Sequence, residues 1–199
     1  MYDWYYKFVD LPHVPQDIID EAYISIEKWD TDKKFWWWPK SAKEVDIVNG
    51  LKKNSVGFIQ FNVSNRVTDW FLENITEKGH NNIKIVSNTD GDHKGAHTDK
   101  TRDYVLIYLL ESGSKTPPKT IWYNEINQPS VRERKTRCND YELLTEISSV
   151  TIPLRKWIVL NSRILHGIDQ LTSKRISFHI GLEHPFKLKG EFIKDTSNA

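Results

Sequence analysis

The sequence predicts an α+β chain, mainly β, with N-terminal helices packed against one sheet. Three observations carry that expectation. Apolar residues recur at helical spacing in two early stretches. After Gly79 the pattern changes to short β-rich runs separated by turn residues, a density that suggests a sandwich or barrel. At 199 residues the chain has room for one domain with a real core and not for two comfortable ones. Helices first and then a β body is the order of a sheet covered on one face.

Along the chain, Ile18, Ile19, Ala22, Tyr23, Ile26 and Trp29 form one apolar face from Pro15 to Trp29, with Pro15 suited to a first turn. Segment 58–63 (FIQFNV) reads as a strand. A second helix is expected from about Ser64 to Lys78, with Val67, Trp70, Phe71 and Ile75 on its buried face and Gly79 placed to end it. Strands follow at 83–88, 104–110, 120–125, 149–152, 157–161 and 175–182. Segments 112–118 (SGSKTPP) and 126–130 (INQPS) read as loops, 131–140 as a charged connection, and the tail from Lys194 as frayed. No internal repeat or low-complexity tract is visible.

Composition narrows the function. Lysine plus arginine at 28 against aspartate plus glutamate at 27 leave no strong nucleic-acid signal, so polyanion binding would need a local patch. The longest apolar run, Tyr104 to Leu110, falls far below the about 20 residues that span a bilayer. The N-terminus lacks the basic-then-apolar layout of a secretory signal, so a cytoplasmic location is expected. Cys138 is the only cysteine, which excludes an intrachain disulfide and a multi-cysteine zinc site. Histidine and carboxylate are left to carry any chemistry.

Strand alternation would turn His97 and Asp99 of the segment AHTD to one face, where an imidazole and a carboxylate can hold a metal. His166, following the buried-looking strand WIVLN, is the natural third ligand. Two histidines and one carboxylate on one face of a divalent iron leave three positions open for substrate, cosubstrate or oxygen. Alone, the His-x-Asp pair is a weak signal, since such pairs occur by chance. Arg175 strengthens it: an arginine opening a buried strand is costly unless it meets a carboxylate, and a dicarboxylate cosubstrate would supply one in bidentate fashion.

The order HTD, then TIPLRKWIVLN, then LHG, then RIS resembles the non-haem Fe(II)- and 2-oxoglutarate-dependent dioxygenases over roughly residues 83 to 182. The resemblance implies a double-stranded β-helix (jelly-roll, cupin-like) core at 81–185, a helical support at 1–80 and a C-terminal tail at 186–199, all within a single domain, 1–199. It further implies that His97, Asp99 and His166 ligate Fe(II), that Arg175 pairs with the far carboxylate of 2-oxoglutarate, and that Ser177 is a second contact. The resemblance also implies O2 as the oxidant, with succinate and CO2 as the co-products of hydroxylating an unactivated C–H bond. Asp99 keeps the carboxylate that halogenating relatives lose. Asn88 and Lys94 stand where prolyl-hydroxylase-like members often carry tyrosines, the second arginine of nucleic-acid demethylases is missing after Arg175, and the turn before WIVLN holds LRK in place of the usual glycine.

Tyr104 and Tyr108 share one face of YVLIYLL, and either could donate a hydroxyl to the cosubstrate; core packing explains them equally well. His179 falls on the face of Arg175 and Ser177 by strict alternation, as a pocket residue or a satisfied core histidine. His93 reads as a loop histidine. The cluster Trp36, Trp37 and Trp38 reads as core, lid or binding surface, and RERKTR at 132–137 as a solvated loop. The expected substrate is a small molecule or a peptide, with peptide, free amino acid, small metabolite and nucleotide all left open by the sequence. Two other readings stay open: a cupin-like metal enzyme that ignores 2-oxoglutarate, and a non-catalytic binding module on the same fold.

Overall fold

In the computed structural model the described residues are 4–32, 58–76, 83–88, 96–99, 102–125, 137–138, 144–169, 171–184 and 187–193. The tryptophan cluster, His80, His93, Lys94, Gly79, segment 132–136 and the tail from Lys194 lie outside them. Twelve strands and two helices are found among the described residues. They are β1 (Tyr6–Asp10), α1 (Gln16–Asp32), β2 (Phe58–Asn62), α2 (Asn65–Asn74), β3 (Ile83–Asn88), β4 (Ala96–His97) and β5 (Tyr104–Ser112). The remainder are β6 (Lys119–Glu125), β7 (Arg137–Cys138), β8 (Leu144–Thr151), β9 (Trp157–Asn161), β10 (His166–Ile168), β11 (Arg175–Leu182) and β12 (Glu191–Phe192).

All the strand pairs are antiparallel and form two sheets. The larger runs β12-β1-β9-β5-β11-β3-β2 and the smaller runs β7-β4-β10-β6-β8. From β3 to β6 each strand lies in the other sheet from the one before it, and from β8 to β11 the same alternation recurs. Each crossing carries the chain over the space between the sheets, so residues distant in sequence meet there.

One face of the large sheet is covered by the helices. Ile18, Ile19, Ala22 and Ile26 of α1 pack with Val67 and Phe71 of α2 onto Tyr104, Leu106, Tyr108, Ile176, Phe178 and Ile180. Phe71 is fully buried, with ring centroids 4.9 Å from Phe178 and 6.0 Å from Trp157. The Ser64 hydroxyl caps α2 by accepting from the Val67 amide at 3.3 Å, satisfying one of the helix's orphan donors. The other face looks into the molecule, where Val105, Ile107, Leu109, Ile158 and Leu160 pack with Trp122 of the small sheet.

Several expectations change. Within the expected helical support, β1 is an unexpected strand; with the expected strand β2 it extends the large sheet on both sides, and Glu191–Phe192, expected in the tail, pairs with β1. The second helix ends at Asn74, short of Lys78. There Ile75 and Thr76 both donate to the Phe71 carbonyl, and Thr76 then bridges to Leu188, which pulls the chain out of helical geometry. In the LRK turn where the resemblance leads one to expect glycine, Arg155 takes φ 56°, the left-handed conformation glycine adopts freely, and its amide donates to the Leu109 carbonyl at 2.8 Å. No helix among the described residues is long and apolar enough to cross a membrane.

Candidate metal centre

His97 ends β4 and His166 begins β10, and the two are directly opposed across that strand pair, with ring centroids 4.6 Å apart. Direct partners point to the same face, so both imidazoles look between the sheets. Asp99 reaches them by a different route from the one alternation suggests. Thr98 and Asp99 have already left the strand, and the Asp99 amide donates to the Ser162 carbonyl at 2.9 Å, which folds the carboxylate back toward the histidines. Asp99 Oδ1 lies 3.9 Å from His97 Nε2, and one ligand atom from each of the three residues falls within 4.8 Å of the others. Bonds of about 2.1 Å to an ion would set neighbouring ligand atoms about 3 Å apart, so binding draws the three inward by less than 2 Å.

The protonation states suit a cation. His166 Nδ1 lies 2.9 Å from the Ile164 carbonyl, which can only accept, so the proton sits on Nδ1 and the Nε2 lone pair is left for a ligand. Burial holds the His166 imidazole below its ordinary pKa, with Asp99 pulling the other way, and the neutral form is the one that coordinates. Burial pushes the Asp99 carboxyl up, but Arg102 and the two imidazoles outweigh it and hold the group below the usual carboxylate value. Arg102 Nε donates to Asp99 Oδ2 at 2.6 Å, leaving Oδ1 as the oxygen on the histidine side.

A cavity of about 170 Å³ opens beside the triad. Its polar lining includes Asn88, Arg102, Thr120, Arg175 and His179, and Val105, Ile107, Leu160 and Ile168 make its apolar wall. Arg175 is 2% exposed, and its Nη1 has no hydrogen-bond partner among the described residues. Burial lowers its guanidinium to about 10. Such a charge is costly to bury alone, and the chemistry that relieves it is an anion. The buried Thr120 hydroxyl likewise lacks a partner among the described residues. Gly113, at φ 84°, permits this packing: a β-carbon there would fall 2.8 Å from that of Arg175. The triad end is the more open one, with the His97 side chain 31% and that of Asp99 15% exposed.

The predicted residues sort as follows. His97, Asp99, His166, Arg175 and His179 all line this cavity. Ser177 is fully buried on the same strand, and its hydroxyl lies 3.0 Å from His179 Nε2; it supports that imidazole and is not part of the cavity wall. Tyr104 and Tyr108 do not join the site. They lie on the helix-covered face, where Tyr104 packs 5.3 Å from Trp4, Tyr108 packs 4.5 Å from Trp157 and the Tyr108 hydroxyl lies 3.2 Å from His13 Nδ1. Every residue from Tyr104 to Leu109 is buried, so alternation gives two faces without saying which is the pocket. Arg102 and Thr120 were not singled out from the sequence, where the one available signal was an arginine three residues after Asp99; Asn88, noted there only for the absence of a tyrosine, also lines the cavity.

No protein-family model and no curated protein matches the sequence. Several solved structures are similar to this chain, all at TM-scores below 0.5. HygX from Streptomyces hygroscopicus, with nickel, 2-oxoglutarate and hygromycin B bound, is 13% identical, with 80% of this chain and 86% of that chain covered and a TM-score of 0.37. An N-substituted L-amino acid dioxygenase from Burkholderia ambifaria is 10% identical, with 96% and 98% covered and a TM-score of 0.42. AviO1 from Streptomyces viridochromogenes is 14% identical, with 94% of each chain covered and a TM-score of 0.38.

Proposed function

We propose that this chain is an Fe(II)- and 2-oxoglutarate-dependent dioxygenase that hydroxylates an unactivated C–H bond of a small-molecule or peptide substrate. The observation that carries this reading is one cavity lined both by a His-Asp-His group and by a buried arginine whose Nη1 is unpartnered among the described residues. The strand order supports a double-stranded β-helix, because β9-β5-β11-β3 and β4-β10-β6-β8 interleave in the manner of two Greek keys.

In this reading His97 Nε2, Asp99 Oδ1 and His166 Nε2 hold the iron on one face. Iron with 2-oxoglutarate and O2 supplies the oxidation, in which decarboxylation to succinate and CO2 is coupled to hydroxylation. Arg175 takes the far carboxylate of the cosubstrate and fixes its orientation, with the Thr120 hydroxyl within the same lining. Burial, reinforced by Arg102 and Arg175, holds His179 neutral. Val105, Ile107, Leu160 and Ile168 exclude water along the apolar wall. The test is succinate formation from 2-oxoglutarate by protein loaded with Fe(II) in air. Iron-dependent succinate that disappears in His97→Ala supports the reading. Iron binding with no 2-oxoglutarate consumption favours a cupin-like metal enzyme, and neither favours a binding module.

A further inference from the structure

We propose that the substrate is a small molecule carrying a single carboxylate, and that Arg102 receives that group at the open end of the cavity. This rests on the dioxygenase reading above and deepens it.

Arg102 has two edges. Its Nε is committed to Asp99 Oδ2 at 2.6 Å, and the described residues offer no other side-chain partner to the guanidinium. The side chain is 16% exposed and lines the cavity beside the triad, whereas Arg175 is 2% exposed. The two arginines therefore occupy the open and the closed parts of one lining. The loop of Arg102 is also held in place: its carbonyl accepts from the Ser162 hydroxyl at 3.4 Å, and the next carbonyl, of Asp103, accepts from the Ser162 amide at 3.0 Å. An arginine fixed through one edge presents the other as a preset fork for a carboxylate, and little side-chain freedom remains to be lost on binding.

Charge points the same way. Asp99 is the only carboxylate among the described lining residues, while Arg102 and Arg175 are both cations. A divalent ion and the two arginines outweigh Asp99 and a doubly charged cosubstrate by one positive charge, with the histidines neutral. A monoanionic substrate brings the site to neutrality, whereas a cationic one would be repelled from a partly buried region where charges interact strongly. The cavity, at about 170 Å³, is also below the range usual for drug-sized ligands, which leaves the substrate's charged group to sit at the open end beside Arg102.

The experiment uses the full chain loaded with Ni(II) and saturating 2-oxoglutarate, so that no turnover occurs. Thermal stability is read against hexanoate, benzoate and N-acetylalanine, each paired with its neutral primary amide. The expected result is stabilisation by at least one of the acids and by none of the amides. In Arg102→Gln, at Ni(II) concentrations raised to saturation, the apparent acid affinity falls by about tenfold to a hundredfold, the range for a lost charge-assisted hydrogen-bonded pair. Acids and amides that behave alike, or an acid response that survives in Arg102→Gln, overturn the proposal while leaving the dioxygenase reading intact. An acid that only raises the 2-oxoglutarate concentration needed is competing at Arg175, and this too overturns it. A wild-type protein that gives no Ni(II)-dependent response to 2-oxoglutarate overturns both.

Discussion

Replacing Arg175 by methionine should make the ligand-free protein more stable and, at the same time, deaf to 2-oxoglutarate. Arg175 is 2% exposed, its Nη1 is unpartnered among the described residues, and burial lowers the guanidinium from its ordinary value to about 10. That difference corresponds to about 3 kcal/mol spent on keeping the charge in place. Methionine is similar in length, polarises easily and carries no charge, so it recovers part of this cost, less whatever Arg175's remaining polar contacts contribute. At about 2 to 4 °C per kcal/mol for a chain of this size, a gain of roughly 3 to 6 °C is expected. Ligand works in the opposite direction. In the wild type with Fe(II) under anaerobic conditions, 2-oxoglutarate at a hundred times its Kd adds about 2.7 kcal/mol, and in Arg175→Met that increment should vanish. Differential scanning calorimetry of both proteins, with and without ligand, reads all four quantities. A variant that is less stable than wild type without ligand, and still stabilised by 2-oxoglutarate, would refute the view that Arg175 waits for an anion.

Three further outcomes are expected. Asp99→Ala should weaken Fe(II) binding at least tenfold in an anaerobic titration and abolish succinate formation; unchanged affinity would remove Asp99 from the ligand set. Acid should destabilise the metal-free protein: His166 and His179 are both held below their ordinary pKa by burial, so below about pH 6.5 the unfolded chain takes up protons that the folded one refuses. Above that pH they carry no such penalty, and on lowering the pH to 5.5 the loss is up to about 1.4 kcal/mol per histidine; a flat Tm between pH 7.5 and 5.5 would contradict it. Phe71→Ala empties a fully buried site between α2 and the large sheet, on the face away from the triad, and should cost about 3 to 5 kcal/mol by chemical denaturation while leaving 2-oxoglutarate affinity in the surviving folded protein within about threefold.

Much of this was legible because the relevant signals are local. Strands 83–88, 157–161 and 175–182 coincide with β3, β9 and β11 to the residue, since each is a β-rich run bounded by turn residues. His97, Asp99 and His166 could be named because the His-x-Asp pair, the histidine after WIVLN and the arginine opening the next strand form a recognisable order, and the three ligands meet between the sheets. What stayed hidden depends on long-range contacts. Strand β1 begins beside Tyr5 and holds its place by pairing with β9 and β12, neither of which is near it in sequence. Asp99 reaches His97 through a hydrogen bond to Ser162, 63 residues away, and not by strand alternation. The facing of Tyr104 and Tyr108 could not be read from a strand that is apolar on both sides. Arg102 gains a role only once the fold sets it against Asp99.

The measurement closest to the central claim is an anaerobic titration of the metal-free protein with Fe(II) and then 2-oxoglutarate, followed in the visible range. The account predicts a metal-to-ligand charge-transfer band that develops only when both are present, is absent in His97→Ala, and in Arg175→Met requires much more 2-oxoglutarate. Iron that binds without any band when 2-oxoglutarate is added would contradict it.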